Sequence, residues 1–346
     1  MDYFCTYFDK HYLTRGLALY QSLKQHCPSF KLWVLCMDKE THEILMRLRL
    51  SGLRLIPIEE FEKEDNELLA AKQNRSLIEY YFTCTPSLPI YIFNKWPEVD
   101  LLTYLDADLY FFSNPEPIIN EINGYSIALI EHRFPESLRH LERHGKYNVS
   151  WLTFRRDTWA FECLHQWRKQ CLEWCYDRCE QNRFADQKYL DDWPDRYNNA
   201  YVIKHKGANL APWNVNRYLI HVNKNQIFVD GYPLIFFHFH GLVRISNCVY
   251  NPNLARYKVK PTKATLSKLY AIYISSLTNI KEKTSSFIRE VSFEDGIRYR
   301  STYLTKRNKN GKKKYFYKYL KDILIVGRNV LLKNYIVFFK GCVFFP

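Results

Sequence analysis

The chain has 346 residues, 47% hydrophobic and 25% charged, a composition that excludes a disordered protein and allows one large domain with an appendage. The net charge of +14 arises in residues 262–346, which contain 18 Lys and Arg against 5 Asp and Glu, whereas residues 1–261 contain 32 against 31. Because the charge is confined to this end and no nucleic-acid-binding motif accompanies it, we expect no nucleic acid among the partners.

The first 105 residues alternate strand-like apolar segments with amphipathic helical ones, which is typical of a parallel sheet covered by helices on both faces. The middle of the chain is more mixed, and after residue 261 the pattern weakens. We therefore predict an α/β domain over residues 1–261 and a basic, aromatic, mainly helical region over residues 262–346. The predicted strands are 3–8, 30–37, 53–58, 101–105, 124–131, 147–154, 227–229 and 234–237, and the predicted helices are 13–26, 40–50, 66–82, 157–181 and 184–192.

The sequence shows no signal peptide and no apolar segment of the roughly 20 residues that span a bilayer. Its ten cysteines therefore predict reduced thiols and a cytoplasmic protein. Cys171, Cys175 and Cys179 share a helical spacing that would allow a metal site. Since no Cys-x-x-Cys pair is present, we favour buried structural thiols.

Asp106 and Asp108 directly follow the strand predicted at 101–105. In open α/β sheets, ligands bind beyond the carboxyl ends of the strands. Carboxylates suit Mn²⁺ or Mg²⁺, which proteins hold together with substrate phosphates and which stabilise a departing diphosphate. Asp-x-Asp alone is frequent by chance and also suits an exposed turn, but the preceding buried strand favours a metal site.

Two histidines, His238 and His240, follow the strand predicted at 234–237. An imidazole there would complete the metal shell, although a single histidine is more often structural. We expect these two histidines to point to opposite sides, so that only one of them is a metal ligand.

Other polar residues have two interpretations each. Asp186 and Gln187 begin a predicted helix, where they would cap it or bind sugar hydroxyls. Asn148, on its predicted strand, is ambiguous in the same way. Trp213 and Asn214 offer an apolar platform and an amide for an acceptor, or belong to the core.

In their order along residues 1–250, these segments resemble the retaining family-8 glycosyltransferases, enzymes of the glycogenin and lipopolysaccharide galactosyltransferase type. Residues 7–13 are similar to the start of these enzymes, and residues 106–108 match their metal-binding motif. Asn148 stands in place of their strand asparagine, and residues 186–187 match their Asp-Gln pair. Residues 238–244 are similar to their closing His-Phe-x-Gly-x-x-Lys motif, with an arginine for the lysine and without the following Pro-Trp.

The resemblance implies the GT-A fold and a donor site for a nucleotide-sugar, with UDP as the expected nucleotide and Mn²⁺ or Mg²⁺ as the cation. The implied roles are metal binding for Asp106, Asp108 and His238; nucleotide and donor binding for Thr6, Asp9, Tyr12, Arg75, Asn148 and Arg244; and action on the donor sugar for Asp186 and Gln187. Arg75 is also consistent with a solvated surface arginine. For the acceptor, we predict Trp213 and Asn214.

The predicted function is metal-dependent transfer of a sugar to a glycan or lipid-linked acceptor, with retention of configuration if the resemblance holds. One alternative is a sugar nucleotidyltransferase, but such an enzyme normally needs a glycine-rich loop after the first strand, and residues 8–15 contain no glycine. The other alternative is a catalytically inactive nucleotide- or carbohydrate-binding protein at a membrane.

The C-terminal region has a basic segment at 306–314 followed by an aromatic one at 315–320. Such a combination attracts anionic lipid by about 1 kcal/mol for each charge near the surface. This would suit a peripheral enzyme of polysaccharide or lipopolysaccharide assembly at the inner face of the plasma membrane. A small helical cap with a solvated face explains the segment equally well.

Overall fold

The computed structural model describes residues 1–259, 264–284, 335–339 and 341–344. The basic segment at 306–314 and the aromatic segment at 315–320 lie outside these residues. The strands are β1 (Asp2–Phe8), β2 (Phe30–Cys36), β3 (Leu53–Pro57), β4 (Leu101–Leu105), β5 (Leu109–Phe111), β6 (Ile127–Glu131), β7 (Tyr147–Arg155), β8 (Ala200–Val202), β9 (Ile220–Asn223), β10 (Gln226–Val229), β11 (Tyr232–Pro233), β12 (Phe236–His238), β13 (Val243–Arg244), β14 (Val249–Asn251), β15 (Ile336–Phe339) and β16 (Cys342–Phe344). The α-helices are α1 (Leu13–His26), α2 (Lys39–Leu48), α3 (Ile58–Lys63), α4 (Asn66–Lys72), α5 (Leu77–Lys95), α6 (Glu116–Glu121), α7 (Thr158–Glu173), α8 (Trp193–Arg196) and α9 (Ala264–Thr284).

A seven-stranded sheet in the order β3-β2-β1-β4-β7-β6-β8 forms the centre of the described part of the chain. The β3-β2-β1-β4 half is parallel throughout, and β8 is parallel to β6. Strand β7 is antiparallel to both of its neighbours. The predicted mixed, mostly parallel sheet is confirmed.

Helices cover both faces of this sheet. Neighbouring residues of a strand point to opposite faces, so each strand contributes apolar side chains to both layers of helices. Phe4 and Val34 belong to the hydrophobic cluster that contains the buried side of α1. Their neighbours Cys5 and Trp33 belong to the cluster formed with α5 and α7 on the other face. Strands buried on both faces explain the continuous apolar segments of the sequence.

Three predicted helices differ from the structure, and the one predicted at 184–192 is a 3₁₀ helix over Lys188–Asp192. The helix predicted at 66–82 is divided into α4 and α5, because Ser76 and Glu79 form a capping box that begins a new helix. The helix predicted at 157–181 ends at Glu173, where Trp174 adopts an extended backbone and buries its side chain. Burial of this ring outweighs the helical pattern of the following residues.

The ten cysteines are all free thiols, and their burial differs. Cys171 lies in α7 and Cys175 follows it; both are buried, whereas Cys179 is exposed. The predicted common helix face for these three residues is therefore wrong. Burial raises the pKa of the Cys171 thiol, as expected for a structural residue.

The described parts of the C-terminal region pack on the rest of the chain. In α9, the ring of Tyr273 stacks on Phe239 with centroids 3.9 Å apart, and Tyr270 lies edge-on to Phe237. Strands β15 and β16 extend β13 and β14 into a four-stranded antiparallel sheet. The division at residue 261 stays a prediction. Among the described helices, none is long and apolar enough to cross a membrane.

Candidate active site

Two short antiparallel strands bring the predicted metal ligands together. Strand β4 ends just before Asp106, and β5 then pairs with β12, so that Leu109 lies opposite His238. The backbone N–H of Phe239 donates to the carbonyl of Asp108 at 3.0 Å. The Nε2 atom of His238 lies 3.0 Å from Oδ1 of Asp108 and 3.9 Å from Oδ2 of Asp106.

His240 joins the same group of side chains, contrary to the expectation that it points away. Asp108, His238 and His240 each offer one ligand atom, and these atoms all lie within 4.8 Å of one another. Strand β12 ends at His238, so strand alternation no longer fixes the direction of His240. Gly241, with φ +69°, turns the chain immediately afterwards. We call Asp106, Asp108, His238 and His240 the carboxylate–imidazole group.

The carboxylate–imidazole group is strongly coupled and mostly buried. Burial raises the pKa of Asp106 to about 6, although His238 opposes this shift. Burial also opposes ionisation of Asp108, but the charge and hydrogen bond of His238 lower its pKa to about 2. Nδ1 of His238 is buried and makes no hydrogen bond to any described residue. The converging carboxylate of Asp108 and imidazoles of His238 and His240, with the Asp106 carboxylate 3.9 Å from His238, fit a divalent cation.

A cavity of about 850 Å³ opens over this group. Asp9 and Tyr12 line it, and their role in binding a nucleotide stays a prediction. The carboxylate of Asp9 accepts the backbone N–H groups of His11 and Tyr12 at 3.0 and 3.2 Å and the hydroxyl of Tyr81 at 3.2 Å. Thr6 is fully buried and is not among the residues that line the cavity.

Asp186 and Gln187 line the cavity close to the carboxylate–imidazole group. Burial, and then the charge of Asp106, raises the pKa of Asp186 to about 7. Gln187 donates from Nε2 to the carbonyl of His144 at 2.9 Å. The 3₁₀ helix Lys188–Asp192 begins after this pair and has no side-chain cap, so helix capping does not explain Asp186.

Asn148 is buried at the wall of the same cavity and is held by two hydrogen bonds. Its Oδ1 accepts the N–H of Ser150 at 2.7 Å, and its Nδ2 lies 2.9 Å from Nε2 of His132. Burial lowers the pKa of His132 to about 3. A neutral His132 whose Nε2 accepts from Asn148 is consistent with both observations.

Trp213 and Asn214 have different surroundings. Trp213 lines the cavity, with its ring centroid 5.2 Å from that of His238. Asn214 is fully buried; its Nδ2 donates to the carbonyls of His132 and Asn209, and its Oδ1 accepts from Ala211. Asn214 therefore holds the loop that carries Trp213 and does not reach the cavity.

Arg75 and Arg244, like Thr6, do not line the cavity, whereas Asp9, Tyr12 and Asn148 do. Arg75 donates to the hydroxyl of Tyr176 at 2.5 Å and to the carbonyl of Leu172 at 3.1 Å. Arg244 donates to the carbonyl of Ser246 and borders a separate cavity of about 300 Å³. In this structure Arg75 holds the end of α7, and Arg244 contacts its own turn.

Replacing Arg75 by Gln is expected to destabilise the fold by about 1–3 kcal/mol, because hydrogen bonds to the end of α7 are lost. The affinity for nucleotide is expected to stay unchanged. Urea unfolding and calorimetric titration with a nucleoside diphosphate check the two parts. A large loss of nucleotide affinity with unchanged stability would instead show that Arg75 binds the donor.

Three arginines that no sequence pattern indicated line the cavity: Arg143, Arg178 and Arg256. Arg143 lies near the end of the 3₁₀ helix Glu136–His144, and Arg256 lies in the 3₁₀ turn Ala255–Tyr257. Exposed arginines are common on any protein surface, so no pattern in the sequence distinguishes these residues.

No family model matches the chain. It is 32% identical over 299 residues to the uncharacterized protein YfnD of Bacillus subtilis (strain 168), covering 85% of this chain and 94% of YfnD. It is also 33% identical over 246 residues to the uncharacterized protein YfnF of the same organism, covering 69% of this chain and 80% of YfnF.

Among solved structures, the chain is similar to the galactosyltransferase LgtC in complex with donor and acceptor sugar analogs, with a TM-score of 0.48 and 16% identity over 70% of this chain and 87% of LgtC. It is also similar to the glycosyltransferase GlyE of Streptococcus pneumoniae TIGR4, with a TM-score of 0.46 and 13% identity over 83% of this chain and 63% of GlyE.

Proposed function

This chain belongs to the family of YfnD and YfnF, and we propose that it is a metal-dependent glycosyltransferase. It would transfer a sugar from a nucleoside diphosphate donor, with UDP as the expected nucleotide, to a glycan or lipid-linked acceptor. The observation that carries this proposal is the carboxylate–imidazole group at the base of a cavity that also contains Asp186 and Gln187. The motif resemblance to family-8 glycosyltransferases supports it.

The carboxylate–imidazole group would hold Mn²⁺ or Mg²⁺. When bound, such an ion supplies positive charge to the departing diphosphate. Asp108 and His238 suit this role because they are buried, preorganised and within 3.0 Å of each other. A preorganised ligand set loses little free energy in reorganisation during the reaction.

The nucleotide would lie along Asp9 and Tyr12, where the ring of Tyr12 is partly exposed to the cavity and the guanidinium of Arg15 lies 4.6 Å from its centroid. The donor sugar would lie between Asp186, Gln187 and Asn148, whose carboxylate and amide groups suit sugar hydroxyls. The side-chain amide of Gln187 already donates a hydrogen bond to a backbone carbonyl. We therefore assign Gln187 a role in orienting the sugar. We assign no covalent nucleophile. Retention of configuration through front-side attack is proposed on the motif resemblance.

The first test is release of nucleotide across a panel of UDP-, GDP-, ADP-, CDP- and dTDP-sugars, with Mn²⁺ or with EDTA. Because the diphosphate needs a cation to leave, release from one donor is expected in Mn²⁺ and its loss is expected in EDTA. Readdition of Mn²⁺ should restore it. Release that persists in EDTA would contradict a metal-dependent reaction. If no donor is turned over and no nucleoside diphosphate binds in calorimetry, the proposed activity is wrong.

Location at the inner face of the plasma membrane is proposed on the charge of residues 262–346 alone. A lipid-linked acceptor would agree with such a location. Most of this region lies outside the residues that the structure describes.

A further inference from the structure

One wall of the cavity is aromatic and lies directly beside the carboxylate–imidazole group. The ring of Trp213 is 5.5 Å from that of His240, 6.0 Å from Tyr257 and 6.3 Å from Phe134. Trp213 is fixed in place because its Nε1 donates to the carbonyl of His132 at 2.8 Å. Trp213 and Tyr257 are mostly buried, and the parts of their rings that line the cavity suit the apolar face of a sugar ring.

Arg143 and Arg256 border the same wall. Both are exposed, and neither guanidinium makes a hydrogen bond or ion pair with any described residue. Arg178 also lines the cavity, but it is paired with Glu180 at 2.8 Å. The charges of Arg143 and Arg256 both act on His144, whose pKa is lowered first by burial and then by these two residues. Both guanidinium groups border the cavity that His144 also lines.

The position of His144 connects these arginines to the proposed reaction centre. Its carbonyl accepts the hydrogen bond from Gln187, and its ring lies edge-on to Phe184 at 4.7 Å. Asp177 is an acidic residue that also borders this part of the cavity. Even with Asp177 included, the two unpaired guanidinium groups leave a net positive charge there.

An unpaired guanidinium favours a phosphate or carboxylate, which it binds through two parallel hydrogen bonds. In the proposed function, the diphosphate of the donor is bound at the carboxylate–imidazole group, so a second anion comes from the acceptor. We propose that the acceptor is an anionic glycan, whose phosphate or carboxylate is bound by Arg143 and Arg256 while its sugar packs on Trp213 and Tyr257. This inference rests on the proposed function.

The test uses the full chain with saturating UDP and Mn²⁺, so that the donor's diphosphate position is filled. Glucose 6-phosphate, glucuronate and glucose are then titrated by calorimetry. The two anionic sugars are expected to bind at least about tenfold more tightly than glucose, consistent with one charge-assisted hydrogen-bonded contact. The double variant R143Q/R256Q is expected to lose this difference and to keep its affinity for UDP.

The matched control is Arg139→Gln, since Arg139 is exposed on the same 3₁₀ helix but pairs with Glu136 at 3.1 Å and does not line the cavity. It should keep the preference for anionic sugars. Equal binding of the three sugars by the natural chain, or unchanged preference in R143Q/R256Q, would overturn the proposal. A loss of UDP affinity in that double variant would also overturn it, because the guanidinium groups would then serve the donor.

The titrations are repeated without nucleotide. A chain that binds no UDP but still prefers the anionic sugars through Arg143 and Arg256 would contradict the proposed function while supporting an anion site on this wall. A chain that binds UDP but shows no such preference would contradict the anion site alone. The two failures are thus distinguishable.

Discussion

Replacing Asp108 by Asn is expected to reduce kcat by about 10³-fold, equivalent to about 4 kcal/mol of transition-state stabilisation. The amide keeps the size of the side chain but removes a negative charge from the proposed cation site. Asp108 is the better of the two carboxylates to test, because it lies 3.0 Å from His238 and its pKa of about 2 keeps it ionised at neutral pH. Steady-state nucleotide release and a Mn²⁺ titration measure the effect.

Asp100→Asn is the matched control, because Asp100 is exposed just before the opposite end of β4. It should leave turnover unchanged. Circular dichroism and thermal unfolding establish that both variants are folded. A folded Asp108→Asn variant with normal kcat and normal Mn²⁺ affinity would show that this carboxylate does not hold the cation.

Replacing Asp186 by Asn is expected to lower kcat by about 100-fold, because small errors in the position of a bound sugar cost about this much. Asp186 is buried and lines the cavity, and the charge of Asp106 helps to raise its pKa. Its carboxylate is nevertheless not among the converging ligand atoms of Asp108, His238 and His240. The affinities for Mn²⁺ and for free UDP should therefore stay close to those of the natural chain. Comparing kcat with these two dissociation constants separates sugar orientation from cation binding.

Asp195→Asn serves as the control for this second variant, because Asp195 is an exposed carboxylate in the short helix α8. If Asp186→Asn weakens Mn²⁺ binding as strongly as Asp108→Asn does, Asp186 belongs to the cation site. If it changes neither kcat nor any affinity, the residue has only a structural role beneath the cavity.

The location of the site follows from two strands that are far apart in sequence. Asp106 directly follows strand β4. Strand β12 lies more than 100 residues later in the sequence and pairs with β5, which follows Asp108. The stacked rings of Trp151 and Phe236, 5.3 Å apart, join β7 of the central sheet to β12. Packing between these strands therefore fixes the distance between the carboxylates and His238.

The sequence by itself determined the four strands of the parallel half of the sheet and the positions of α1 and α2, because apolar periodicity acts within a few positions of the chain. It also indicated Asp106, Asp108 and His238, since a polar residue directly after a buried strand has to lie at the edge of the sheet. The order of several such motifs was enough to suggest a resemblance to glycosyltransferases.

The tertiary structure alone decided which side chains meet. The direction of His240 depends on a turn after β12 that strand alternation does not describe. Arg75 and Arg244 are held by contacts with Tyr176 and Ser246, whereas Arg143 and Arg256 reach the cavity from two short 3₁₀ segments. A long, flexible cationic side chain has no periodic pattern that fixes its partner, so its position is set by distant residues that packing brings near it.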